Sequence, residues 1–312
     1  MTKIAIVGSG LIGRAWATVF ASHGFEIALY DLKPEVAEAA RAHIGNNLEE
    51  LAGHGLVDDP KGALARIRVA ADLADALKDI ALAQENGPET VDAKRALFAE
   101  MDRLAPASAI LASSTSYIMA SDFTEGLAGR ARCLVAHPVN PPHLVPIVEL
   151  APAPWTDPQI VTEAKRLYEQ AGQVPITLRK EKPGFVLNRL QAVLLAEAFR
   201  LVGEGVASAE DVDKTIRDGL GLRWSFMGPF ETIELNAPGG IPDYCARYGA
   251  SLDRMIADSA GGEPFGAKTV ATVMSEWPGR QEAERVKRLS EWRDTRLAAL
   301  QAHKRASVRK PA

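Results

Sequence analysis

The chain has 312 residues, 47% apolar and 24% charged, with a formal net charge of -4. That length has room for two domains and a sizeable core, and the composition excludes a disordered chain. The slightly acidic balance gives no electrostatic reason to bind nucleic acid or an anionic membrane.

Only two cysteines occur, Cys133 and Cys245, so neither a disulfide framework nor a cysteine-based zinc site is expected, and no metal. The opening MTKIAIVGSG runs straight into a strand with no basic n-region. No uncharged stretch of about 18 residues offers a membrane span. A cytoplasmic protein is expected. The basic residues Lys304, Arg305, Arg309 and Lys310 are expected to form a frayed tail.

Residues 3–7 form a short β-branched run, ended by a glycine-rich turn, and residues 11–23 read as a helix. A second strand at 26–30 ends at Asp31. Pro34 suits the first turn of a longer helix with Val36, Ala40, Ile44, Leu48 and Leu51 on one face. Strands are expected at 67–70, 80–83, 110–113 and 133–137, separated by helical patterns, with another apolar stretch at 146–150. Alternation of this kind implies parallel crossovers: an α/β fold, a doubly wound sheet with helices on both faces. After a last strand at 174–180 the pattern becomes helical. Val186, Leu190, Val193, Leu194 and Leu201 mark a long apolar helix, and Ser208 with Asp211 a capping box. The expected domains are 1–183, a Rossmann-type dinucleotide-binding domain, and 184–312, a smaller all-helical domain. Its apolar first helix suggests a homodimer.

Gly8, Ser9, Gly10, Leu11, Ile12 and Gly13 have the G-x-G-x-x-G spacing. The glycines give a tight turn, close approach of backbone to a pyrophosphate, and close packing of helix on strand. The helix N-terminus adds free N–H groups and a positive dipole end. Asp31, 23 positions after Gly8, would accept hydrogen bonds from the adenosine ribose and repel a 2′-phosphate, so NAD is the expected cofactor.

Chemistry concentrates in residues 113–149. Ser113-Ser114-Thr115-Ser116 follows one strand end and His137-Pro138-Val139-Asn140 the next. Strand C-termini open toward the ligand crevice, so Ser116 and His137 should share it. Histidine is the natural base for a hydroxyl proton. Glu149, in an apolar run, costs free energy unless paired; a hydrogen bond to His137 would satisfy it and support an imidazolium. His143 is read as structural.

The stretches IVGSGLIGRAWA, the S-S-T-S turn, VAHPVNPP, VELAP, KPGFVLNRLQ and DGLGLRWSFMGPFET make the chain resemble the L-3-hydroxyacyl-CoA dehydrogenase superfamily, and within it the lambda-crystallin branch. The resemblance implies His137 as catalytic base, Glu149 as its paired carboxylate, Ser116 as donor to the reacting oxygen and Asn188 as the fourth polar member. Asn140 would lie near the nicotinamide, Glu89 and Lys94 would contact the cofactor, and the helical domain would form a dimer. CoA-using relatives carry a lysine-rich insertion after the second strand. Residues 34–66 here hold only Arg41, Lys61 and Arg66 as cations, so a small non-CoA hydroxy acid, oxidised at C3, is the expected substrate. Arg223 would clamp its carboxylate. L-carnitine dehydrogenase, a short-chain 3-hydroxyacyl-CoA dehydrogenase and a non-catalytic NAD-binding structural protein are the rival readings.

Overall fold

A computed structural model describes residues 1–259, 261–277 and 283–307. The first part of the chain runs β1 (Lys3–Val7), α1 (Leu11–Ser22), β2 (Glu26–Tyr30), α2 (Pro34–Gly53), α3 (Pro60–Ala65), β3 (Ile67–Val69), α4 (Leu73–Leu77), β4 (Leu82–Glu85), α5 (Val91–Leu104) and β5 (Ile110–Ser113). It continues through α6 (Ala120–Thr124), β6 (Cys133–Pro138), β7 (Ile147–Pro152), α7 (Pro158–Gln170) and β8 (Val174–Thr177). These strands form one sheet in the order β3-β2-β1-β4-β5-β6-β7-β8, so the strand order reverses beside β1, where open α/β sheets take their ligands.

Alternation along β1 explains the two-faced core. Ile4 and Ile6 join Trp16, Phe20, Ile44, Leu48 and Tyr168 on one side of the sheet. Ala5 and Val7 join Phe98, Met101, Leu111 and Val135 on the other. Successive side chains leave a strand on opposite faces, and helices cover both.

Several details differ from the sequence expectation, the last strand among them, since β8 stops at Thr177 and not at residue 180. β4 begins two residues later than residue 80 and ends on Gln84 and Glu85, both fully buried; buried polar strand ends are invisible to a hydrophobicity pattern. β7 runs antiparallel to β6, because eight residues between them allow a reversal but no crossover helix. The last helix, α14 (Ala283–Ala306), belongs to the sheet domain and not to the helical unit.

The compact units are residues 1–188 with 283–312, and 189–282. In the first, α8 (Leu187–Gly203) begins, and α14 (Ala283–Ala306) seals Ala298 against the first core cluster, with Leu297 and Ala302 beside it. Arg305 donates to the Leu56 carbonyl at 2.9 Å, so this part of the basic run is docked, not frayed. Arg309 and Lys310 lie outside the described residues. The second unit holds the rest of α8 with α9 (Ala209–Lys214), α10 (Gly221–Trp224), α11 (Pro229–Glu234), α12 (Gly240–Asp258) and α13 (Ala267–Glu276). Ser208 caps α9 by accepting from the Asp211 N–H.

Candidate active site

The reversal at β7 sets His137 directly opposite Glu149 in the β6–β7 ladder. Nδ1 of the imidazole lies 2.8 Å from Glu149 Oε2. The other carboxylate oxygen accepts the backbone N–H groups of Val186 and Leu187, at 2.9 and 3.0 Å, where α8 starts. The Glu149 carboxyl is wholly inaccessible. Burial pushes its pKa up, but the hydrogen bonds from His137, Leu187 and Val186 outweigh burial and hold it below the usual carboxylate range. An ionised carboxylate only accepts, so Nδ1 donates to it, and in the neutral ring this tautomer leaves the lone pair on Nε2. Phe185, buried and at φ 52°, packs its ring 5.3 Å from the imidazole and fixes its tilt.

Contacts run outward from this pair. Asn188, next to Leu187 on α8, donates from Nδ2 to the Ser116 carbonyl at 2.9 Å. The Ser116 N–H donates to Glu89 Oε1 at 2.8 Å, and the Thr115 hydroxyl to the same oxygen at 2.5 Å. Ser116 is therefore held from both sides, and its own hydroxyl has no partner among the described residues. The Glu89 carboxyl is raised by burial but lowered further by Thr115, Lys94 and the Ser116 N–H, so it stays ionised.

Beneath Glu89 lies an ion pair. The Lys94 ammonium is 3.0 Å from Glu85 and 3.3 Å from Glu89, with only 2% of the lysine side chain exposed. Glu85 also accepts from the Ser113 hydroxyl at 2.5 Å and the Gly87 N–H at 2.6 Å. Lys94 was expected to touch the cofactor; its ammonium instead sits inside the domain, satisfied by carboxylates, and steadies Glu89.

The glycine loop fits a dinucleotide. Gly8 is at φ 91°, a left-handed conformation that glycine alone adopts freely, and an added Cβ there would meet the Asn86 carbonyl at 2.8 Å. At Gly13 a Cβ would fall 1.9 Å from the Gly8 carbonyl, so α1 lies against its own turn. At Gly10 a Cβ meets nothing within 4 Å: the space above the loop is open at the start of α1, where a pyrophosphate would be held. The buried Ser9 donates from both N–H and hydroxyl to Asp31 Oδ2, each at 2.9 Å, which ties the loop to the acid at the end of β2. Leu11 is exposed and Ile12 half-buried on the same turn.

Family models match both parts of the chain: "3-hydroxyacyl-CoA dehydrogenase, NAD binding domain" over residues 3–182 and "3-hydroxyacyl-CoA dehydrogenase, C-terminal domain" over 184–276. The chain belongs to the 3-hydroxyacyl-CoA dehydrogenase family. It is 40% identical to lambda-crystallin of Oryctolagus cuniculus over 307 residues, covering 97% of this chain and 96% of that one. It is 34% identical to L-carnitine dehydrogenase of Pseudomonas putida over 302 residues, covering 96% and 93%. The solved structure of 5-formyl-3-hydroxy-2-methylpyridine 4-carboxylic acid 5-dehydrogenase, an NAD+-dependent dismutase, superposes with a TM-score of 0.83 at 27% identity, covering 96% of this chain and 98% of that one. As a family member the chain is an NAD-dependent hydroxy acid oxidoreductase.

The structure joins His137, Glu149, Asn188, Ser116 and Glu89 into one cluster. Asn140 is exposed just beyond β6. Arg223 lies exposed on α10 of the second unit, and its guanidinium has no partner among the described residues. Glu85 and Phe185 escaped sequence reasoning. Glu85 had at most a weak signal, a carboxylate two residues beyond the expected strand 80–83; only the structure sets it in register with Ser113 of β5. Phe185 had none beyond following Gly184.

Proposed function

We propose that this family member oxidises the 3-hydroxyl of a small hydroxy acid not carried on CoA, L-gulonate being the favoured candidate. The His137–Glu149 pair carries the reading. Nε2 of His137 takes the hydroxyl proton, and the buried Glu149 carboxylate stabilises the imidazolium that results. The Ser116 hydroxyl donates to the reacting oxygen, and Asn188 keeps Ser116 in place through its carbonyl. Glu89, braced by Lys94 and Glu85, holds the same turn from the cofactor side. Bound NAD supplies the hydride acceptor. Gly8 to Gly13 would hold its pyrophosphate, Asp31 its adenosine ribose and Asn140 its nicotinamide end.

The cations of residues 34–66 argue against CoA. Arg41 donates from Nε to the Ile67 carbonyl at 2.9 Å and Arg66 from Nε to the Ala21 carbonyl at 3.0 Å, so both arginines lean on their own domain, and three cations make a sparse site for the phosphates of CoA. An L-carnitine site would want aromatic rings around the quaternary ammonium. Tyr244 pairs with Tyr248 at 4.9 Å, and no ring contact joins Trp224, Phe226 and Tyr244 among the described residues. The apolar surface of residues 189–282, where Leu190, Val193, Phe226, Phe230 and Ile256 are all exposed, supports a homodimer. The two free cysteines suit a cytoplasmic setting.

The test is NADH formation with L-gulonate, 3-hydroxybutyrate, L-carnitine and 3-hydroxybutyryl-CoA, for the wild type and His137→Gln. L-gulonate turned over best, with His137→Gln keeping NAD affinity and losing most turnover, is the expected result. Faster turnover of the CoA ester, or undiminished turnover in the variant, overturns it.

A further inference from the structure

We propose that Ser114 is a positioning residue for hydride transfer, its hydroxyl tying the glycine loop to the turn that carries Ser116. The backbone rungs joining β1, β4, β5 and β6 run out at Val7, Glu85, Ser113 and Val135. The glycine loop, the turn and His137 lie past that line, and there side chains take over. Ser114 accepts from Trp16 Nε1 of α1 at 3.0 Å and from Gln84 Nε2 of β4 at 2.7 Å, and donates to Asn86 Oδ1 at 2.8 Å. A hydroxyl has one proton to donate and two lone pairs to accept with. All three are used, so Ser114 has no capacity left for a ligand. Ser116, two residues on, is held by its backbone N–H and carbonyl, and its hydroxyl has no partner among the described residues. One serine of the S-S-T-S turn faces the reaction; the other is a strut.

Each arm of the strut ends on a different part of the site. Asn86 abuts the glycine loop twice: its carbonyl lies 2.8 Å from where a Cβ on Gly8 would stand, and its Nδ2 3.4 Å from one on Gly13. The same Nδ2 donates to the Gln84 carbonyl at 2.9 Å, which fixes the amide. Gln84 Nε2 also donates to the Ala136 carbonyl at 3.4 Å, beside His137 on β6. Trp16 belongs to the helix that opens from the loop. Gln84, Trp16 and Tyr168 are wholly buried. The Tyr168 hydroxyl on α7 donates to Gln84 Oε1, which turns Nε2 toward Ser114, and burial raises that phenol well above its ordinary pKa, so it stays protonated. A buried polar network resists rearrangement because any unpaired member costs its full desolvation. Loop, turn and base strand thus keep one relative position. Hydride transfer needs that, since a misplacement of about 1 Å can cost on the order of 10²-fold in rate. The inference rests on the roles proposed above for His137 and Ser116.

The experiment is single-turnover NADH formation by the full-length protein at saturating NAD, with whichever of the four compounds named above the wild type oxidises fastest. Ser114→Ala and Asn86→Ala are each expected to slow the rate by about tenfold or more, with NAD affinity by calorimetry within about threefold of wild type. The double variant should be no slower than the slower single one, because both cut the same bond. A bond that serves folding alone would lower the melting temperature and the amplitude of the turnover but leave its rate unchanged. That result overturns the strut, as does a double variant in which the two losses multiply. Trp16→Phe, which keeps a ring in the core and removes one of the three bonds, should show a smaller loss of rate and serves if the other variants fail to fold. A wild type that prefers a compound other than L-gulonate sinks the substrate reading and still reads the strut; variants as fast as the wild type on L-gulonate sink the strut alone.

Discussion

His137 and Glu149 sit opposite each other on antiparallel strands, and the carboxylate that meets the imidazole is also the acceptor for the first N–H groups of α8. One buried carboxylate thus orients the proposed base and anchors the helix that carries Asn188. In the proposed mechanism, catalysis and local folding share a residue.

Glu149→Gln should cut kcat by about 10²-fold or more, the range of positioned acid–base catalysis, with the Michaelis constant for NAD little changed. It should also alter the pH dependence of stability. A carboxyl whose pKa is lowered on folding contributes stability that is present above its unfolded value, about 4.3 for Glu, and lost as pH falls through the folded one. Thermal melts should therefore show the wild type ahead of Glu149→Gln at pH 7, with the gap closing below the ordinary carboxylate range. A variant with wild-type kcat would remove Glu149 from the mechanism.

The Glu85–Lys94 pair makes a different prediction. Glu85→Gln leaves the Lys94 ammonium buried against Glu89 alone and should cost about 3–5 kcal/mol in urea unfolding, as broken buried pairs do. The double variant Glu85→Gln/Lys94→Met, with no unpaired cation, should recover a large part of that loss. Equal stability of single and double variants would show that the ammonium is not the source of the cost.

Gly10 and Gly13 should separate binding from folding. Ala at Gly13 drives a methyl into the Gly8 carbonyl and should lower the melting temperature steeply. Ala at Gly10, where φ is -63° and the space is open, should leave the melting temperature level or slightly raised while NAD affinity falls at least tenfold. Retained NAD affinity in Gly10→Ala would place the pyrophosphate elsewhere.

Asp31→Asn keeps acceptor geometry for Ser9 while removing the negative charge. The expected outcome is about a tenfold weaker NAD and a smaller preference for NAD over NADP, measured as the ratio of kcat/KM values. An unaltered ratio would mean that this charge does not select the cofactor.

Much of the candidate site was legible because its signals are local. Gly8, Gly10 and Gly13 act within one turn, and Asp31 closes the adjacent strand; a window of some two dozen residues holds the whole cradle. The His137–Glu149 pair was legible for a related reason, since a hairpin of twelve positions brings the two together. Glu85 and Lys94 looked like an unremarked strand end and a ligand contact, because their burial depends on α5 lying over β4 and β5, which no periodicity reports.

Composition, spacing and residue type by themselves determined the αβ alternation and the glycine loop, and singled out Asp31 and His137 as candidates for the cofactor-selecting acid and the base, because each expresses short-range sterics or the chemistry of single side chains. Only tertiary structure decided that β7 turns back on β6, that Lys94 is spent on two carboxylates, and that α14 packs on the core of the sheet domain. Those outcomes depend on which distant surfaces exclude water from one another, and solvent exclusion is a property of the folded whole.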